Sequence, residues 1–173
     1  MDVSKVEVMG SSVAGVYLSP FDVKYLVLHH TASKTESLTW NEIKQYHVNV
    51  HGWNDIGYHF GIVADDPVNK QSFAVVQGRP ISLRGAHAKG FNHCSIGIAF
   101  EGNFEESVMP RAQFDLGVTL LSDLLIHQYS HLMVDLIKGH RDLPYPTLCP
   151  GRKFPMHEMI GAVKDNIYHS GVH

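Results

Sequence analysis

Disulfide frameworks, membrane spans and polyionic tails are all missing from this chain, and each absence removes a class of function. Two cysteines, Cys94 and Cys149, in 173 residues are too few for the cross-linked scaffold of a small secreted domain. The longest apolar stretches fall well short of the ~18 residues that a spanning helix needs, which excludes membrane insertion. No run of like charge interrupts a formal net charge of -3, which argues against a nucleic-acid footprint and against a polybasic anchor. The segment Met1-Asp2-Val3-Ser4-Lys5 lacks a basic stretch followed by an apolar core. Synthesis in the cytoplasm without a signal peptide is therefore expected, with any exit by another route. Internal repeats, low-complexity tracts and linkers are also missing, so a single domain is expected.

What the chain has in excess is histidine, 13 in all, on an ordinary globular background of 44% apolar and 18% charged residues. Its most informative stretch is Lys138-Gly139-His140-Arg141-Asp142-Leu143-Pro144-Tyr145-Pro146-Thr147-Leu148-Cys149-Pro150-Gly151. A histidine and a cysteine flank a loop that its prolines keep from becoming a helix, so the two ends can curl toward one point. Imidazole nitrogen and thiolate sulfur are a ligand pair suited to Zn2+. A third ligand can come from Leu28-His29-His30-Thr31-Ala32, at the end of an apolar run. Side chains alternate along a strand, so only one of His29 and His30 can be that ligand. Two histidines, a cysteine and an open position form a hydrolytic zinc site. The competing readings are Cys149 as a small buried hydrophobe and a cysteine hydrolase pairing Cys149 with a nearby histidine.

Hydrophobic pattern sets the frame. Residues 1–22 read as an N-terminal arm or edge strand, and residues 23–173 as the main domain. Val23 to Leu28, Tyr58 to Val63, Phe73 to Gln77, Ser95 to Phe100 and Val134 to Ile137 read as strands. Ser37-Leu38-Thr39-Trp40 opens a helix with Trp40, Ile43, Tyr46, His47 and Val50 at helical spacing, ending near Gly52. A longer helix runs from Pro110 to about His131, with Phe114, Gly117, Val118, Leu121, Leu124 and Leu125 inside and Asp115, Ser122 and Asp123 outside. Phe154 to Tyr168 is the closing helix. Alternating strands and helices give an α/β fold, a sheet with helices packed on its faces. The loop from Arg84 to His93, punctuated by glycine and carrying amide, imidazole and amine groups, has the composition of a ligand-binding rim.

Several segments together resemble one family, the zinc-dependent N-acetylmuramoyl-L-alanine amidases of the type-2 amidase and peptidoglycan-recognition-protein fold. They are Leu28-His29-His30-Thr31-Ala32, Trp53-Asn54-Asp55-Ile56-Gly57-Tyr58-His59-Phe60, Gly85-Ala86-His87-Ala88-Lys89-Gly90-Phe91-Asn92, Ser95-Ile96-Gly97-Ile98 with Glu101-Gly102-Asn103, and Gly139-His140-Arg141-Asp142 with Cys149-Pro150-Gly151. In character they look most like the small phage lysozymes of amidase type. The resemblance implies a central mixed sheet flanked by helices, with one Zn2+ in a surface groove held by His29, His140 and Cys149. It implies a structural role for His30, catalytic roles for Tyr58 and Thr147, and contacts from His87 and Asn92 to the peptide stem or muramoyl sugar. The partner implied is bacterial peptidoglycan, cut between N-acetylmuramic acid and L-alanine by a monomeric phage or prophage endolysin. A non-catalytic peptidoglycan-binding module and an intracellular wall-recycling amidase are the alternatives. Two positions depart from relatives: Thr147 stands where phage members commonly carry lysine, and Ala99 where another branch carries a glutamate base. Cys149, which non-catalytic receptors typically lack, is retained.

Overall fold

Two parallel strands with no exposed side chain form the middle of the molecule. In the computed structural model, which describes residues 7–8, 15–33, 39–66 and 68–171, β2 (Tyr25–His30) pairs in parallel with β5 (Ser95–Phe100), Leu26 opposite Ile96 and His29 opposite Ala99. Every residue from Leu26 to His30 and from Ser95 to Phe100 is buried. Strands covered on both faces read as continuous apolar runs, as these do. A short β6 (Ile137–Gly139) joins the other side of β2, also parallel, with Leu28 opposite Gly139. Beyond β5 lie β3 (Phe60–Ala64), parallel to it, then β4 (Phe73–Gln77), antiparallel to β3. The two-residue β1 (Glu7–Val8) pairs in parallel with β4. The sheet is mixed and six-stranded, in the order β1-β4-β3-β5-β2-β6. Of the expected N-terminal arm, residues 1–6 and 9–14 lie outside the described residues.

Alternation along the strands sorts side chains between two layers. Leu26, Leu28, Ile96, Ile98 and Phe100 face α2 (Arg111–Asp123) and α3 (Met156–His169), where they pack with Leu120, Leu121, Met159 and Val163. Ala99 faces α1 (Trp40–Asn49) and packs with Trp40, Ile43, Ile56 and Val63. That second face is lined by small residues for a reason of space. A Cβ on Gly61 would sit 2.5 Å from the Trp40 ring, so the indole lies directly on the backbone.

The helices begin and end where local chemistry dictates. Thr39 caps α1 by accepting the Glu42 N–H, while the Glu42 carboxylate accepts the Thr39 N–H at 2.7 Å, a reciprocal capping box. Ser37 and Leu38, expected in this opening, lie outside the described residues. Tyr46 and Val50 prove to be exposed, so the inward stripe of α1 is Trp40, Ile43 and His47. α2 is shorter than expected; it passes into a π turn at Leu124–Gln128 instead of running on to His131. Ser122 and Asp123 are buried rather than outward, because α3 covers the flank of α2 that a two-layer picture leaves to solvent. There Ser122 Oγ donates to the Val118 carbonyl and accepts from Asn166 of α3. Residues Val134–Leu136 form a 3-10 turn, closed by the Leu136 N–H on the Met133 carbonyl, so the last strand starts three residues later than expected. Tyr58, expected in a strand, lies just before β3. None of the described helices is long and apolar enough to cross a membrane.

Arg79 ties the segment before Tyr58 to the sheet. Its buried guanidinium donates to the carbonyls of Ile56 at 3.0 Å, Asp55 at 3.2 Å and Arg84 at 2.8 Å. Losing that fork removes a donor from each of three carbonyls. Arg79→Ala is expected to lower unfolding free energy by about 3 kcal/mol, and Arg79→Lys to recover less than half, since an ammonium cannot match the planar geometry. Urea titration of the three proteins checks this; a neutral Arg79→Ala would show the fork to be dispensable.

Candidate metal centre

The ends of two neighbouring parallel strands create the site. β2 finishes at His29 and His30, and β6 delivers His140 beside them, because Leu28 and Gly139 are already in register. Cys149 arrives from the loop that follows. This loop is held by Arg141, whose backbone N–H donates to the Cys149 carbonyl at 2.7 Å and whose side chain donates to the Gly151 carbonyl at 3.0 Å. Asp142 completes the brace by accepting the Gly139 N–H at 2.8 Å. Ligand atoms of His29, His140 and Cys149 all lie within 4.8 Å of one another. His29 Nδ1 stands 3.5 Å from Cys149 Sγ, and the His29 and His140 rings are 4.6 Å apart.

The donor set fits a divalent, borderline-soft cation, and one atom makes the case sharper. His140 Nε2 is buried and has no hydrogen-bond partner. A buried imidazole nitrogen without a partner is costly, and coordination would satisfy it. His30 faces the other way, as strand alternation requires: its Nδ1 accepts the Phe104 N–H at 3.2 Å and its ring stacks on Phe104. That contact engages His30 on the far side of the strand, leaving His29 as the histidine of the pair that faces His140 and Cys149.

The surroundings keep these groups uncharged in the absence of a cation. Burial, then the neighbouring His87 and His140, holds His29 well below the usual imidazole range. Burial also lowers His140 and His30. The Cys149 thiol is pushed up to about 12 by burial, against the opposing pull of the His30 backbone N–H and of Arg141. Tyr58, its ring 5.1 Å from that of His29, is raised above the usual phenol range by burial and by Cys149. It therefore keeps its O–H at neutral pH and can donate a hydrogen bond. Thr147 Oγ1 accepts the Cys149 N–H at 3.1 Å, which leaves its own O–H available to donate.

Two residues expected on the rim make hydrogen bonds within the protein. The His87 ring is buried, with Nδ1 3.0 Å from His29 Nε2, against the ring nitrogen of His29 opposite the one that faces Cys149. Asn92 uses Oδ1 to accept the backbone N–H groups of His87 and Ala88, each at 2.9 Å, so it shapes the loop. Ser95, 3.4 Å from His87 Nε2, escaped the sequence reading, although the alternation Ser95-Ile96-Gly97 placed it on the face that carries His29. Tyr145, stacked on His140 with planes 4° apart, escaped it too; only its place in the proline-rich loop hinted at a wall.

Sheet, strand ends and donor triad together define an α/β domain with a candidate metal centre at the carboxyl ends of parallel strands. The chain belongs to the N-acetylmuramoyl-L-alanine amidase family, whose model matches residues 19–152. It is 35% identical over 155 residues to peptidoglycan-recognition protein SC2 of Drosophila simulans, covering 86% of this chain and 79% of that one. The endolysin of Enterobacteria phage T3 is 31% identical over 131 residues, covering 72% and 78%. Among solved structures, N-acetylmuramoyl-L-alanine amidase LysC from Clostridium intestinale URNW superposes with a TM-score of 0.74 at 33% identity, covering 94% of this chain and 97% of that one.

Two buried histidines outside the triad give the fold a pH limit. Burial holds His47 and His59 at about 4 against 6.5 for an ordinary imidazole. The unfolded chain therefore takes up more protons than the folded one as pH falls from 6.5 to 4, and stability drops through that window. Denaturation midpoints of metal-free protein at pH 7, 5.5 and 4.5 are expected to fall in that order; a flat profile would contradict the assignment.

Proposed function

We propose that this chain is a zinc-dependent amidase that hydrolyses the bond between N-acetylmuramic acid and L-alanine in bacterial peptidoglycan, in the service of phage or prophage lysis. The observation that carries the reading is the convergence of His29, His140 and Cys149 within 4.8 Å in a chain of the amidase family. Zinc held there would supply a Lewis acid for the scissile carbonyl and lower the pKa of water from about 15.7 to about 7.

The chain's own groups then divide the remaining work. Tyr58, which carries its O–H at neutral pH, donates a hydrogen bond to the oxygen that gains charge as the carbonyl is attacked. Thr147 offers a second O–H from beside Cys149. His30 and Arg141 hold the Cys149 loop in place. Ala99 is fully buried and Thr147 stands in place of a lysine, so neither of these two positions supplies a carboxylate or an ammonium as the proton carrier.

A cysteine nucleophile has a specific observation in its favour, the 3.5 Å contact between Cys149 Sγ and His29 Nδ1. The electrostatics oppose it. An activated thiolate needs a lowered thiol pKa and a protonated partner, whereas burial raises Cys149 and lowers His29. A recognition module that binds without cutting would keep the groove but release no new amine.

Mass spectrometry of digested sacculi separates these readings. The zinc amidase yields peptides with a free L-alanine amine, stops with strong chelator and recovers with added zinc. Tyr58→Phe is expected to retain its metal and lose about a hundredfold in kcat. Activity that persists through chelation but dies on alkylation would favour the cysteine hydrolase, and binding with no free amine would favour the recognition module.

A further inference from the structure

A chain of buried hydrogen bonds leads away from the candidate centre and ends at a group whose polarity is fixed. Phe91 contributes a backbone carbonyl, which can only accept, and Ser95 Oγ lies 2.8 Å from it as the donor. The single hydroxyl proton of Ser95 is thereby committed. Toward His87 Nε2, at 3.4 Å, Ser95 Oγ can only accept, so that nitrogen carries the hydrogen. In a neutral imidazole the other nitrogen is then an acceptor. His87 Nδ1 faces His29 Nε2 at 3.0 Å, so His29 Nε2 is the donor of that pair. It follows that His29 Nδ1, the atom that faces Cys149, carries a lone pair.

The His87 ring is held in this role by space as well as by hydrogen bonds. A Cβ on Gly97 would fall 2.4 Å from His87 Cγ, and one on Gly85 would fall 2.4 Å from His87 Cδ2. Two glycines, one on β5 and one in the loop, thus open the slot the ring fills. His59 borders the same slot, its Nδ1 taking the Gly97 N–H at 2.9 Å and its Nε2 on the Leu83 carbonyl at 2.9 Å.

We propose that His87 and Ser95 form a positioning relay that fixes His29 as its Nε2–H tautomer and so presents Nδ1 to the metal. The inference rests on the zinc reading of the site and assigns His87 a place behind the ligand instead of a contact with the sugar or peptide. Metal-binding histidines need their second nitrogen oriented, and loss of such partners weakens metal affinity by about 10–100-fold.

Two measurements test it without recourse to catalysis. Long-range 1H–15N correlation spectra of the metal-free wild-type protein at pH 7.5 are expected to show both His29 and His87 protonated on Nε2. Zinc affinity by competition with a chromophoric chelator is expected to fall 10–100-fold in His87→Phe, which fills the slot but cannot accept. His87→Asn, which returns an acceptor near the position of Nδ1, is expected to restore most of the affinity. Wild-type protein that binds no zinc would overturn the metal reading itself. Unchanged affinity in His87→Phe, or a wild-type His29 protonated on Nδ1, would overturn the relay alone. Should His87→Phe fail to fold, the wild-type tautomers still decide.

Discussion

Parallel pairing of β2 with a neighbour on each side is the constraint from which the site follows. Neither neighbour is close to β2 in sequence, yet both run in its direction and both end at the same edge of the sheet. Ligands of α/β sheets gather at such carboxyl ends because backbone pairing stops there and the loops diverge. The period of two makes the arrangement unforgiving: a one-residue slip of β2 would exchange His29 and His30, aiming the wrong imidazole at Cys149 and leaving the Phe104 N–H without its acceptor. Burial of β2 on both faces opposes that slip, since it would also move Leu26 and Leu28 out of the larger core.

Desolvation gives the site its chemical character. His29 is almost wholly removed from solvent, and its surroundings disfavour the imidazolium form. The thiol beside it is disfavoured as a thiolate. Protons therefore do not solve the electrostatic problem of this cluster, since adding one to His29 or removing one from Cys149 is opposed by burial. A divalent cation addresses both sides at once, because it uses the neutral imidazole lone pairs and stabilises the thiolate. The unpartnered His140 Nε2 belongs to the same logic.

The α/β class was legible because strands with apolar side chains on both faces and helices with apolar residues at helical spacing leave local signatures. Val23 to Leu28 and Ser95 to Phe100 are near-continuous apolar runs, and Trp40, Ile43 and His47 recur at helical spacing. Ligand chemistry pointed to His140 and Cys149, and alternation showed that only one of His29 and His30 could join them. Which one required either the family resemblance or the Phe104 contact, a partner 74 residues away. Ser122 was misassigned because burial by α3 is a fact of the third layer, invisible to a two-sided helical pattern. The burial of His87 was hidden for a related reason. Its loop has the polar, glycine-rich composition of a rim, but Gly97, on a separate strand, and Gly85 clear the slot that draws the ring inward.

The central claim is that two imidazole nitrogens and one thiolate share a zinc ion. X-ray absorption spectroscopy of the zinc-loaded protein tests it most directly. The expected first shell contains one sulfur at about 2.3 Å and two imidazole nitrogens at about 2.0–2.1 Å, with four-coordinate geometry completed by a light atom. A shell without sulfur, or a six-coordinate environment of oxygen alone, would contradict it.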